Sequence, residues 1–136
     1  MVVNVLVRNV TKEDLEKALE ILNQKYDNNI TWNRFEQVSS KSFRVTLRVK
    51  DSKKAGHRIA YWAYVNGKIK RLPYACWHVH GDFFDILLNI NPNAVIQVLN
   101  RKIYRVGNEI VNNWIDWNIG SLMYPLYYSE ACECNR

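Results

Sequence analysis

Proline and glycine are scarce in this 136-residue chain, at three and five residues, which excludes collagen-like and Pro/Gly-rich disordered classes. Cysteine is equally scarce and odd in number, at three. The even disulfide framework of a small secreted fold is therefore not expected, and reduced thiols in a cytoplasmic, intracellular protein are. No apolar run is long enough to cross a bilayer. Met1 to Arg8 is apolar but short, and it lacks a basic n-region and a small-residue cleavage site. On that reading the sequons at Asn9 and Asn29 are accidental. No Gly-rich phosphate loop and no nucleophile elbow occur.

Hydrophobic residues make up 48% of the chain, and the length suits one globular domain with a sizeable core. Asn, Ile, Lys and Tyr are heavily used, the signature of an AT-rich coding sequence such as those of many viruses and mobile elements. A viral origin would place the protein in a host cell.

The charge is unevenly placed. Between Lys41 and Leu72 stand ten cations (Lys41, Arg44, Arg48, Lys50, Lys53, Lys54, Arg58, Lys68, Lys70 and Arg71) and one anion, Asp51. The segments on either side are each slightly acidic, although the whole chain carries +6. A basic stretch of this density that also contains Tyr61, Trp62 and Tyr64 points to an anionic polymer as partner.

Val2 to Val7 reads as a strand buried on both faces. Thr11 is a helix N-cap, and Leu15, Ala18, Leu19, Leu22 and Tyr26 form the apolar stripe of the helix that follows. Asp27, Asn28 and Asn29 end it. Ile30 to Val38 is a second strand whose alternation slips near Arg34. In Ser42 to Lys50, Phe43, Val45, Leu47 and Val49 alternate with Arg44, Thr46, Arg48 and Lys50, giving one core face and one cationic face. Lys50 to Arg58, with Lys53 and Lys54, has no apolar period and reads as a basic loop. Asn66 and Gly67 then mark a two-residue hairpin turn. Its register sets Val65 opposite Lys68, Tyr64 opposite Ile69, Ala63 opposite Lys70 and Trp62 opposite Arg71, so that Trp62, Tyr64 and Arg71 share one side. That side is either a stacking platform for a base or a set of aromatics packed inward.

Tyr74 to Ile90 fits a helix with a stripe of Cys76, Val79, His80, Phe83, Leu87 and Ile90. It also fits a strand to Gly81 with Cys76, His78 and His80 on one face, followed by a short helix. Length favours the helix. Ala94 to Leu99 and Arg101 to Val106 read as two further strands, and Asn108 to Trp117 as a short helix through Ile110, Val111, Trp114 and Ile115. Trp114, Trp117, Tyr124, Tyr127 and Tyr128 make the C-terminal region strongly aromatic; most of them are expected to cover one end of the core, and an exposed remainder would form a protein-interaction patch.

The triplet His78, Val79, His80 resembles the histidine, hydrophobic, histidine motif of the HUH endonucleases: rolling-circle replication initiators, relaxases and single-strand transposases. The resemblance implies a βαββαβ sheet and two strand-borne histidines holding Mn²⁺ or Mg²⁺. It also implies a tyrosine nucleophile, here Tyr124, Tyr127 or Tyr128, that attacks the scissile phosphate. Separately, Cys132 and Cys134 form a C-x-C pair that with Cys76, His78 or His80 would complete a tetrahedral zinc site, or else are two terminal thiols.

The expected fold is a single α+β domain: an antiparallel or mixed sheet, ferredoxin-like in element order, with two or three helices and a protruding basic hairpin. The expected function is non-enzymatic nucleic-acid binding without cofactor. Arg44, Arg48, Lys50, Lys53, Lys54, Arg58, Lys68, Lys70 and Arg71 would meet phosphates, with Trp62 beside them. The alternatives are a metal-dependent single-strand nickase, and an inhibitor or adaptor whose basic face docks on an acidic protein or a host complex.

Overall fold

The computed structural model describes residues 2–50, 61–65, 68–72, 75, 77–103 and 110–118. Nine elements follow one another: β1 (Val2–Arg8), α1 (Lys12–Lys25), β2 (Ile30–Ser39), β3 (Ser42–Val49), β4 (Tyr61–Val65), β5 (Lys68–Leu72), α2 (Trp77–Ile90), β6 (Val95–Ile103) and β7 (Ile110–Asp116). Five strands form one sheet in the order β2-β3-β1-β6-β7, and β4 and β5 form a separate hairpin. Every neighbouring pair is antiparallel. The fold is α+β, and no helix among the described residues is long and apolar enough to cross a membrane.

Local chemistry builds α1. Thr11 Oγ1 accepts the Asp14 N–H at 3.2 Å and the Thr11 N–H donates to Asp14 Oδ2 at 3.1 Å, a reciprocal capping box. Leu15, Ala18 and Leu22 are buried along one stripe. Asp27 and Asn28, with φ of 55° and 57°, turn the chain out of the helix through the left-handed region that Asn and Asp tolerate better than most residues. The side chain of Asn23 then bonds both backbone groups of Ile30, accepting its N–H and donating to its carbonyl, which pins the start of β2 to α1.

Both helices lie on one face of the sheet, in contact with each other. The residues turned towards them are Ile30, Phe43, Val45, Leu47, Val49, Val5, Val7, Ile96, Val98, Ile115 and Trp117, all buried. In register they stand side by side: Ile30 with Val49, Val7 with Phe43 and Ile96, Val5 with Val98, and Val98 with Ile115. An aromatic chain runs through this core from Trp32 to Phe83 (5.6 Å), Phe84 (6.0 Å) and Trp117 (5.1 Å). It links β2, through α2, to the residue just past β7. Such contacts add stabilisation beyond the area they bury.

Three expectations are corrected. Residues 110–116 form β7 rather than part of a helix. Ile110, Val111, Trp114 and Ile115 are β-formers and Asn112 and Asn113 are weak helix formers, so pairing along the edge of β6 overrides a helical spacing of apolar residues. The two strands expected between Ala94 and Val106 are one, β6, because Asn100 and Arg101 continue the ladder to Asn113 and Asn112. β1 is not buried on both faces: Val2, Val5 and Val7 are core, whereas Val3, Asn4 and Leu6 are half-buried, with a register shift between Val2 and Asn4. The helix that length favours in Tyr74 to Ile90 is α2, from Trp77, so the alternative strand reading does not hold for His78 and His80, and Cys76 lies outside the described residues. The slip expected near Arg34 is a register shift between Trp32 and Arg34, which keeps Trp32 and Phe35 on the core side.

The hairpin register agrees with the expectation: Val65 pairs with Lys68, Tyr64 with Ile69, Ala63 with Lys70 and Trp62 with Arg71. Its turn, residues 66–67, lies outside the described residues.

Candidate nucleic-acid interface

The alternation that buries Phe43, Val45, Leu47 and Val49 turns the intervening residues of β3 to the sheet face away from both helices. Arg48 and, just past the strand, Lys50 are exposed there, and Arg44 is half-buried. Thr46 is only 3% exposed, its hydroxyl accepting a 3.1 Å bond from Asn33 Nδ2. Three of the sequence-derived cations thus share one surface.

Pairing brings more groups to that face. Arg44 stands opposite Leu6 of β1 on one side and Glu36 of β2 on the other. Arg34, opposite Thr46, bonds Glu36 at 2.7 Å. Arg8 stands beside Ser42 and Val95. Glu36 therefore holds Arg34 and stands opposite Arg44 in register. As an exposed pair, Arg34–Glu36 contributes little to stability, but it orients one guanidinium on the surface. On the other half of the face, Gln97 stands opposite Leu6 and Asp116, and Leu99 opposite Asn4 and Trp114. Trp114 is 56% exposed.

Arg8, Arg34 and Trp114 were not among the expected nucleic-acid contacts, and Trp114 was expected in a helix and in the aromatic C-terminal region. For Trp114 a period-two signal was present, because Ile115 and Trp117 point inward while Trp114 and Asp116 do not. It was masked by the helical spacing of the same apolar residues. The remaining expected contacts, Lys53, Lys54 and Arg58, lie outside the described residues. Trp62, Lys68, Lys70 and Arg71 are placed by strand register alone.

The histidines occupy a different place. β1 and β3 pair only over Leu6 to Arg8 and Ser42 to Arg44, and beyond Arg44 the two strands part. The free edge of β3 is taken up by the chain around the start of α2: the Leu47 N–H donates to His80 Nε2 at 3.0 Å, and the Leu47 carbonyl accepts the Ala75 N–H at 3.0 Å. His80 is 1% exposed and its ring lies 6.0 Å from Phe84. Its Nε2 is an acceptor, which requires a neutral ring with the proton on Nδ1. His78, two residues earlier on a helix, projects about 200° away around the axis. The two rings therefore do not converge as histidines at period two on a strand would. No group of three or more His, Cys, Asp or Glu among the described residues could hold a metal ion. Cys76, Cys132, Cys134, Tyr124, Tyr127 and Tyr128 lie outside them.

Asp82 and Asp85, one turn apart on α2, are structural neighbours of α1 and β7. Asp82 accepts from Lys25 Nζ at 2.8 Å and from Tyr26 Oη at 2.5 Å. Asp85 accepts the Trp117 indole N–H at 3.3 Å. Burial, with a smaller repulsion from Asp82, pushes the Asp85 carboxyl above its ordinary value, against the Trp117 hydrogen bond and the Lys25 charge that lower it. A raised carboxylate binds its proton more tightly folded than unfolded, so stability falls as pH rises from below 3.8 through the raised value. Asp85→Asn keeps an acceptor for Trp117 and removes that penalty. Its unfolding free energy from urea titration should exceed that of the unaltered protein at pH 7, by less than about 1 kcal/mol because water screens the partly exposed group, and match it near pH 3. A lower value at pH 7 would contradict this assignment.

The chain matches no family model, no curated protein and no solved structure.

Proposed function

We propose that this protein binds nucleic acid through the helix-free face of its five-stranded sheet, as an intracellular, non-enzymatic binding module. The observation that carries the reading is that Arg44, Arg48 and Lys50 lie on one continuous face with Arg8 and Arg34, while the carboxylates placed there by register are Glu36 and Asp116. Arginine suits phosphate oxygens because its planar fork donates two parallel hydrogen bonds. The hairpin β4–β5 and the segment before it carry the remaining cations of the basic stretch in the sequence. With the β4–β5 hairpin set aside, the order β1, α1, β2, β3, α2, β6 is similar to a split βαβ arrangement, and the ligand would take the sheet face away from the helices. A nickase reading draws no support from α2, where His80 Nε2 is engaged by Leu47.

The test is a titration against nucleic acid over a series of salt concentrations. Neutralising about five phosphates gives a slope of log affinity on log salt near −4.5 on a duplex and near −3.5 on a single strand. A slope near zero would reject the phosphate-binding reading.

A further inference from the structure

Strand register arranges the helix-free face in rows that can be followed across the sheet. One row runs Trp114, Leu99, Asn4; the next runs Asp116, Gln97, Leu6, Arg44, Glu36. The face is therefore divided. Its β2–β3 half carries Arg34, Arg44 and Arg48, and its β1–β6–β7 half carries Leu6, Leu99 and the exposed indole of Trp114. With neighbouring strands ~4.8 Å apart, Trp114 and Arg44 lie three strand spacings, or about 14 Å, from each other across the sheet. A single exposed aromatic is ordinary on a protein surface. This one stands beside Leu99 on a half of the face where Leu6 and Leu99 alternate with Asn4, Gln97 and Asp116, and Leu6 in turn adjoins Arg44.

Two geometric arguments then choose between duplex and single strand. A five-stranded sheet is about 19 Å across, too broad for a major groove of about 12 Å, which admits a helix or a two-stranded ribbon. A duplex also keeps its bases stacked inside, so it can offer phosphates to Arg44 but no base face to Trp114 without costly unstacking. A single strand presents both at once, phosphates along one side and unstacked bases along the other. We infer that the ligand is a single-stranded nucleic acid, with Trp114 stacking on a base while Arg34, Arg44 and Arg48 hold its phosphates. This deepens, and rests on, the nucleic-acid reading above.

The experiment compares the full chain with Trp114→Ala and Trp114→Phe. The probes are a roughly 16-nucleotide oligothymidylate, the same strand in a duplex, and an abasic strand with the same number of phosphates. Trp114 is outside the core, so each variant should keep the urea midpoint of the unaltered protein, which is checked first. The single strand should bind more tightly than the duplex. Trp114→Ala should weaken oligothymidylate binding roughly 5- to 100-fold with an unchanged salt slope, the size of one lost base–aromatic stack. Trp114→Phe should recover most of that loss, and the abasic strand should not distinguish the three proteins. Duplex binding as tight as single-strand binding, or a Trp114→Ala effect below about twofold, overturns the inference while leaving phosphate binding intact. Failure of every nucleic-acid probe at low salt, with retention of a polyglutamate chain, overturns both and assigns the face to an acidic protein.

Discussion

Replacing Arg44, Arg48 and Lys50 together by glutamine should lower single-strand affinity roughly 10²- to 10³-fold near 0.1 M salt, and make the salt slope shallower by about 2.1. Each neutralised phosphate of a single strand contributes about 0.7 to that slope, so three lost contacts are read twice, in affinity and in its salt dependence. All three residues stand on the face away from the helices, outside the buried cluster. Stability should therefore change little. Binding isotherms at three or more salt concentrations give both quantities. Lower affinity with an unchanged slope would mean that the three side chains shape the surface without meeting phosphate. A companion Glu36→Gln substitution should act in the opposite direction, because Glu36 holds Arg34 and stands opposite Arg44. Its effect should be about tenfold or smaller, as expected for one like-charged neighbour of the ligand.

The largest loss of stability from a polar position is expected at His80. His80→Ala leaves the Leu47 N–H without its acceptor inside the fork between β1 and β3, and an unsatisfied buried donor costs about 1–3 kcal/mol. It also removes a ring packed 6.0 Å from Phe84 and leaves a cavity, so the total should be about 3–5 kcal/mol. Denaturant unfolding measures it directly, and His80→Gln, which can offer an oxygen to Leu47, should recover part of the loss. A loss below about 1 kcal/mol for His80→Ala would mean that water enters the fork and replaces the imidazole. The predicted cost also says what His80 is for: a helical side chain stands in for the strand neighbour that β1 ceases to be. Of the two histidines that resemble a metal-binding motif in sequence, His80 is thereby drawn into the packing of β3 on α2.

Local signals carried much of this architecture. The strict alternation from Phe43 to Lys50 identified both a core strand and its cationic face, because the period of two is a property of the backbone itself. Thr11 and the Asp27–Asn28 pair marked both ends of α1, and Asn66–Gly67 set a register that the pairing of Trp62 with Arg71 follows. In each case the decisive residues lie within a few positions of one another.

The sequence by itself thus determined β3, α1, the hairpin register and the concentration of positive charge, since each depends on short-range geometry or simple counting. Tertiary structure alone decided that residues 110–116 are a strand, because the edge of β6 supplies hydrogen bonds that their own helix would otherwise have to supply. It decided that Trp114 shares a face with Arg44, through three strand pairings that no local window contains. It also decided that His80 serves Leu47, 33 residues away. A polar side chain takes whichever partner folding brings within reach, and at such separations the partner is chosen by the order of the strands.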